Sequence, residues 1–409
     1  TMERKYKKTL YASYIGYITQ AIINNLAPLL FVTFQREYAI SLEQIGFLVT
    51  FNFLLQIAID LAAARYVERI GYKKAVVAAH IFAAAGLVGL SVFPELFGNG
   101  YVGILAAIAL YAVGGGLIEV LISPIVEALP TEEKSSAMSL LHSFYCWGHV
   151  GVVLLSTLFF SAVGIENWRI LPILWAAVPL FNVFLFAGAP VKVYGEEEEV
   201  VPMRKLFTMK MFWLFFVLMI CSGASEQGMS QWSSYFAEKG LNVSKTLGDL
   251  MGPCAFAVFM GASRVFYGIF GERINLKKFI ALSSVLCVAA YLLAVSAPMP
   301  LLSLLGCSLC GLSVGIMWPG VFSLSSAYCP QGGTAMFALL ALAGDIGCSA
   351  GPSLVGSVSE AFGGNLKSGL LMAAIFPLIL LACVGVLSCV GKKDVSEKSD
   401  CAVKSIGEV

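Results

Sequence analysis

Twelve long apolar runs constrain this chain more than any other feature: roughly 9–35, 43–66, 75–97, 101–127, 137–163, 169–189, 211–237, 246–271, 278–297, 300–326, 333–361 and 367–391. A run of about 20 such residues spans a bilayer's hydrocarbon core as a helix. Lipid offers no partner to a free N–H or C=O, so each run must close its hydrogen bonds within itself and becomes helical. Hydrophobic residues make up 58% of the chain and charged ones only 12%, against about a quarter charged in soluble domains. The expected fold is therefore an all-α membrane protein with twelve transmembrane helices, surrounded by lipid. The N-terminal run follows a basic flank, has no small-residue cleavage site and is too long for the core of a signal peptide, so it is read as the first span.

The one long polar connector, "APVKVYGEEEEVVPMRKLFTMK", divides the runs six and six. The expected organisation is an N-terminal half at 1–189, a linker at 190–210 with a solvated acidic stretch at 195–199, a C-terminal half at 211–391 and a polar tail at 392–409. Of the 26 lysines and arginines, twenty fall at the two ends, in the linker and in the other even-numbered loops. Five lie on the opposite side and Arg264 lies within a span. Basic loops stay on the cytoplasmic side, so both termini are expected in the cytoplasm of a cell-membrane protein. The motif "NVS" at 242–244 is a glycosylation sequon in a loop assigned to the outside.

A net charge of +1 gives no field that would draw nucleic acid. No HExxH, phosphate loop or paired metal-ligand spacing appears, so the chain is read as neither an enzyme nor a cofactor or metal carrier. Most of the 11 cysteines sit inside apolar runs and read as small hydrophobes; the Cys307–Cys310 pair has no partner motif and no nearby histidine.

The two halves repeat. "ARYVERIGYKK" (64–74) after the second run is echoed by "GIFGERINLKK" (268–278) after the eighth, so that Glu68/Glu272, Arg69/Arg273, Lys73/Lys277 and Lys74/Lys278 share one offset. Parallel six-span halves suit alternating access about a central site. This loop resembles the signature of the major facilitator superfamily, with Ala64 and Asn275 in place of two of its usual glycines. "IEVLISPIVEAL", "FMGASRVFYGIFGERI" and "GLSVGIMWPGVFSL" resemble the fucose permease branch, which comprises proton-coupled sugar symporters. Glu119 with Pro124, Arg264, and Trp318-Pro319 with Phe322-Ser323-Leu324 carry that resemblance. The branch's span 1 aspartate is absent; "NNLAPLL" offers Ala27 and Pro28 instead. The resemblance implies two pseudo-symmetric halves whose spans 1, 4, 7 and 10 line the cavity.

Intramembrane acids are costly and mark functional sites by default. Glu119 in span 4 and Glu226 in span 7 would thus fall on cavity helices. Burial favours the neutral acid over the carboxylate, which suits a proton carrier. The alternative is a carboxyl that only fixes packing. His142, two turns from His149 in span 5, is a third proton-coupling candidate, while His80 on an outer helix reads as structural. Gln20, Asn24, Asn25, Asn52, Gln56, Gln227 and Gln231 are candidate contacts to solute hydroxyls, or else glue between helices. Trp232, Tyr235 and Trp318 can stack on an apolar sugar face. The glycines around Glu226 predict that span 7 bends or unwinds there. Asp60, Glu68, Arg69, Arg264, Glu272, Arg273 and Asp345 are gating candidates, with Arg264 split between gate and site and Asp345 as its possible partner. The expectation is a monomeric carrier of a small polar solute, a monosaccharide above all, coupled to protons. A proton-linked exporter of a metabolite or drug, or a transporter-like solute sensor, is the alternative.

Overall fold

A computed structural model describes residues 4–130, 134–191, 203–329 and 333–388, and the acidic linker segment and the tail lie outside them. Among the described residues, twelve helices are long and apolar enough to cross a membrane. They are α1 (Tyr6–Tyr38), α2 (Leu42–Ala63), α3 (Tyr72–Leu96), α4 (Gly100–Val126), α5 (Leu140–Val163) and α6 (Ile170–Ala187) in the first half. The second half holds α7 (Lys210–Gly240), α8 (Lys245–Phe270), α9 (Leu276–Ser296), α10 (Pro300–Ser325), α11 (Ala338–Ala361) and α12 (Leu366–Ser388). With an even number of crossings, both ends of the described chain lie on one side, called here the near end; the opposite side is the far end.

Short polar residues start several helices. Ser41 and Gln44 form a capping box at α2, and the Asn99 side chain accepts from the Val102 amide at α4. The two signature loops differ for a visible reason. Gly71 takes φ +91° at the entry to α3, a conformation open to glycine. Its counterpart Asn275 has φ −70° and caps α9 by accepting from the Lys278 amide. One loop uses a glycine's freedom and the other an asparagine's side chain.

Prolines set the interruptions. A proline lacks the N–H that would bond the carbonyl four residues earlier. In α1, Pro28 leaves the Asn24 carbonyl free, and the helix tightens over Ala27–Leu30. In α10, Pro319 leaves the Gly315 carbonyl free, and the chain turns between Val314 and Met317. The bend expected in α7 falls later than its glycines: the helix is regular through Ser230 and turns at Gln231–Trp232.

Within each half the helices pack closely, α3 on α4 and α7 on α11 above all; α2 on α11 and α5 on α8 join the halves. Small residues permit the α7–α11 contact. A Cβ on Gly347 would lie 2.0 Å from the Ile220 carbonyl oxygen, and one on Gly351 would lie 2.5 Å from that of Ala224. A backbone carbonyl cannot swing aside as a side chain can. Gly347→Leu is expected to lower the melting temperature of the purified protein and its folded yield, an overpacking cost of about 3 kcal/mol or more. Gly385→Leu, which meets nothing within 4 Å, is the matched control and should melt like the parent.

Candidate functional site

A cavity of about 430 Å³ lies between the halves, within the roughly 300–1,000 Å³ range of small-molecule sites. Side chains from α1, α2, α4 and α5 line one side, and α7, α8, α10 and α11 the other. Its walls carry Glu119, Glu226, Asp345, His142 and Arg264, together with Gln20, Asn24 and Gln227. Tyr17, Phe53, Tyr145, Trp318 and Phe322 supply the aromatic surface.

The far end is shut by bonds between the halves. The Asn24 carbonyl that Pro28 sets free accepts from Gln231 Nε2 at 3.0 Å. Beyond it, Lys245 Nζ donates to the Leu29 carbonyl at 2.6 Å while pairing with Asp249 at 3.0 Å. Glu360 accepts from the Leu42 amide, Thr50 donates to the Ser349 carbonyl, and Tyr235 donates to Gln35. Gln231 and Glu226 are buried, whereas Glu119, Asp60 and Phe322 are half-buried and His142 is exposed, so the cavity opens toward the near end. Lys245→Met is expected to loosen the far end, seen as several-fold faster amide hydrogen exchange in peptides covering 24–46 while α3 keeps its protection.

Arg264 has the same kind of origin. Its Nε donates at 3.3 Å to the Gly315 carbonyl that Pro319 frees, and Nη1 donates to Cys146 Sγ at 3.2 Å. Its Nη2 lies 3.7 Å from Glu226. Arg264 is thus a cavity residue paired with Glu226; Asp345 is not its partner. Asp345 instead joins Asp60 and Glu119, one carboxylate oxygen from each lying within 4.8 Å of the others. Asp60 therefore stands among acids rather than opposite a basic gate partner. Arg69 and Arg273 are exposed and form no ion pair among the described residues. The side chains of Glu68 and Glu272 lie outside the described ones.

Most of the amides are engaged with one another. Gln20 donates to Gln56, Gln56 to both Asn24 and Asn52, and Asn52 to Asn24. Gln227 donates to Glu226, Gln231 to Gln227, and Asn25 to the Ala21 carbonyl. Asn25, Asn52, Gln56 and Gln231 are not part of the cavity lining. Trp232 is fully buried, donates to the Pro352 carbonyl and packs on Phe31 and Tyr235 at the far end. The helical turn at Gln231–Trp232 carries Trp232 and Tyr235 out of the cavity. Trp318 does line it, seated where Gly344 has no Cβ; an added one would fall 2.2 Å from the indole.

Tyr17 and Tyr145 were not marked by the sequence. Tyr17 hydrogen-bonds Ser123 at 2.9 Å and meets His142 edge-on, and the Tyr145 hydroxyl accepts from Asn24 and Asn25. In sequence Tyr17 stands between Gly16 and Ile18 and Tyr145 between Phe144 and Cys146, which does not set either apart from a lipid-facing tyrosine. His80 bonds the Val76 carbonyl through Nδ1 and Asn182 through Nε2, and Asn182 also donates to the Ala12 carbonyl. It joins α1, α3 and α6 and does not line the cavity.

The Major Facilitator Superfamily profile matches residues 13–352. The chain belongs to this superfamily. Solved structures agree on the fold of this facilitator. A bacterial homolog of the human lysosomal transporter Spinster, inward-facing and occupied, superposes with a TM-score of 0.78 at 14% identity, covering 95% of this chain and 98% of that one. The E. coli fucose:proton symporter FucP (N162A) gives 0.64 at 16% identity, covering 94% and 99%. The nucleoside transporter NupG gives 0.73 at 14%, covering 94% and 99%. At such identities the likeness is one of fold. The sequence matches no curated protein.

Proposed function

We propose that this facilitator is a proton-coupled importer of a small polar solute, of monosaccharide size and character, working by alternating access from the cytoplasmic membrane. The observation that carries the reading is Glu119: a half-buried carboxyl in an apolar helix that faces the cavity and, among the described residues, accepts one long bond, 3.4 Å, from Gln20. Such a group can exchange its proton with water entering from the near end, which the basic loops assign to the cytoplasm. Trp318, Gln227 and Asn24 supply a stacking face and polar contacts for hydroxyls. Glu226 is already paired with Arg264 and is cast as a solute contact, with His142 at the cavity mouth as a route for the proton. Arg69 and Arg273, exposed here, are assigned to a near-end gate that closes in the opposite state.

The test uses purified protein in liposomes loaded with a pH-sensitive dye, with monosaccharides, amino sugars and polyols added outside in turn and no gradient preset. Acidification of the lumen by one of them is the expected result. Silence across the panel, with counterflow exchange also absent, overturns the sugar assignment.

A further inference from the structure

Asp60 on α2, Glu119 on α4 and Asp345 on α11 converge from both halves, yet moving one proton with a sugar calls on only one of them. Asp345 is 6% exposed, and among the described residues its carboxylate has neither a hydrogen bond nor an ion pair. Among the described residues, Asp60 Oδ1 is buried without a partner, and so is the carbonyl oxygen of the 5%-exposed Gln20, whose amide nitrogen reaches Glu119. The nearby cation, Arg264, is turned to Glu226. With all three ionised and no counter-charge among the described residues, the cluster is not stable at this depth, where each desolvated ion costs several kcal/mol, so it must take up protons or a cation.

The spacing fits a shared ion. Oxygens no more than 4.8 Å apart surround a point no further than about 2.8 Å from each, and a closure of a few tenths of an ångström reaches the ~2.3–2.6 Å of calcium–oxygen bonds. An all-carboxylate donor set without histidine or thiolate selects hard cations over zinc or copper. We infer that Asp60, Glu119 and Asp345 form a site for a hard metal cation, sodium or calcium, that ties α2 and α4 of one half to α11 of the other in the far-closed state. The sequence shows no ligand spacing for it because the three donors come from separate helices.

The site is independent of which solute the cavity carries. It is tested on the purified full-length protein in detergent at fixed pH and ionic strength, by tryptophan-monitored melting and by equilibrium binding of radioactive sodium or calcium. Replacing choline with sodium, or adding calcium from micromolar to millimolar, should raise the melting temperature saturably, with about one ion bound per chain; the two arms tell which ion it is. Asp345→Asn and Asp60→Asn should each weaken binding at least tenfold. In choline, Asp345→Asn should melt above the parent, because like-charge repulsion is relieved. No saturable response to either ion overturns the inference, as does a response that survives both substitutions. Such a failure leaves the proton role of Glu119 standing, since accumulation under a pH gradient is read with neither ion present.

Discussion

Glu119→Gln is expected to abolish accumulation of solute while sparing its exchange across the membrane. Glutamine has the shape and neutrality of the protonated acid and keeps a group for the Gln20 contact, so the loaded carrier can still reorient. It cannot release a proton, so the pH gradient no longer drives the cycle. For one proton per solute, a gradient of one pH unit supplies about 1.4 kcal/mol and supports an accumulation of about tenfold. The variant should stop at equal concentrations on both sides, and its counterflow rate should stay within a few-fold of the parent's. Uptake against a gradient by Glu119→Gln, at the parent's level, would remove Glu119 from the coupling step. Loss of both activities would instead mark it as a group needed to hold solute or structure.

Glu119 was legible because a carboxyl among leucines and isoleucines carries a cost that calls for a reason. The spans were legible for a related cause: a bilayer leaves a long apolar run little choice but helix. The amides behave differently. Gln20, Asn24, Asn52 and Gln56 can serve a solute or one another, and only the approach of α1 to α2 shows that they bond mutually. Trp232 was misplaced for a local reason. Its nearness to Glu226 in sequence suggests a place beside the cavity, while the turn at Gln231–Trp232 points it at the Pro352 carbonyl. The prolines carry a readable signal as well. A proline frees the carbonyl four residues before it, so Pro28 and Pro319 name Asn24 and Gly315 as acceptors, and the chain answers with Gln231 and Arg264.

The Arg264–Glu226 pair yields the second large effect. Glu226 is buried, and Arg264 is its one ion-pair partner among the described residues. Removing one member of a buried pair strands the other charge, typically at about 3–5 kcal/mol. Because the Arg264 side chain keeps 27% of its surface exposed, the cost of Arg264→Gln should sit near the low end, at about 3 kcal/mol. That variant should melt well below the parent and lose transport. Glu226→Gln made in the Arg264→Gln background removes the stranded acid, and most of the lost stability should return. If the pair only holds α7 to α8, transport returns with stability. If it also contacts the solute, the double variant is as stable as the parent yet idle, and its affinity for solute in equilibrium binding falls at least tenfold. The second result is expected, because both side chains line the cavity and the guanidinium is oriented there by a carbonyl that a proline frees.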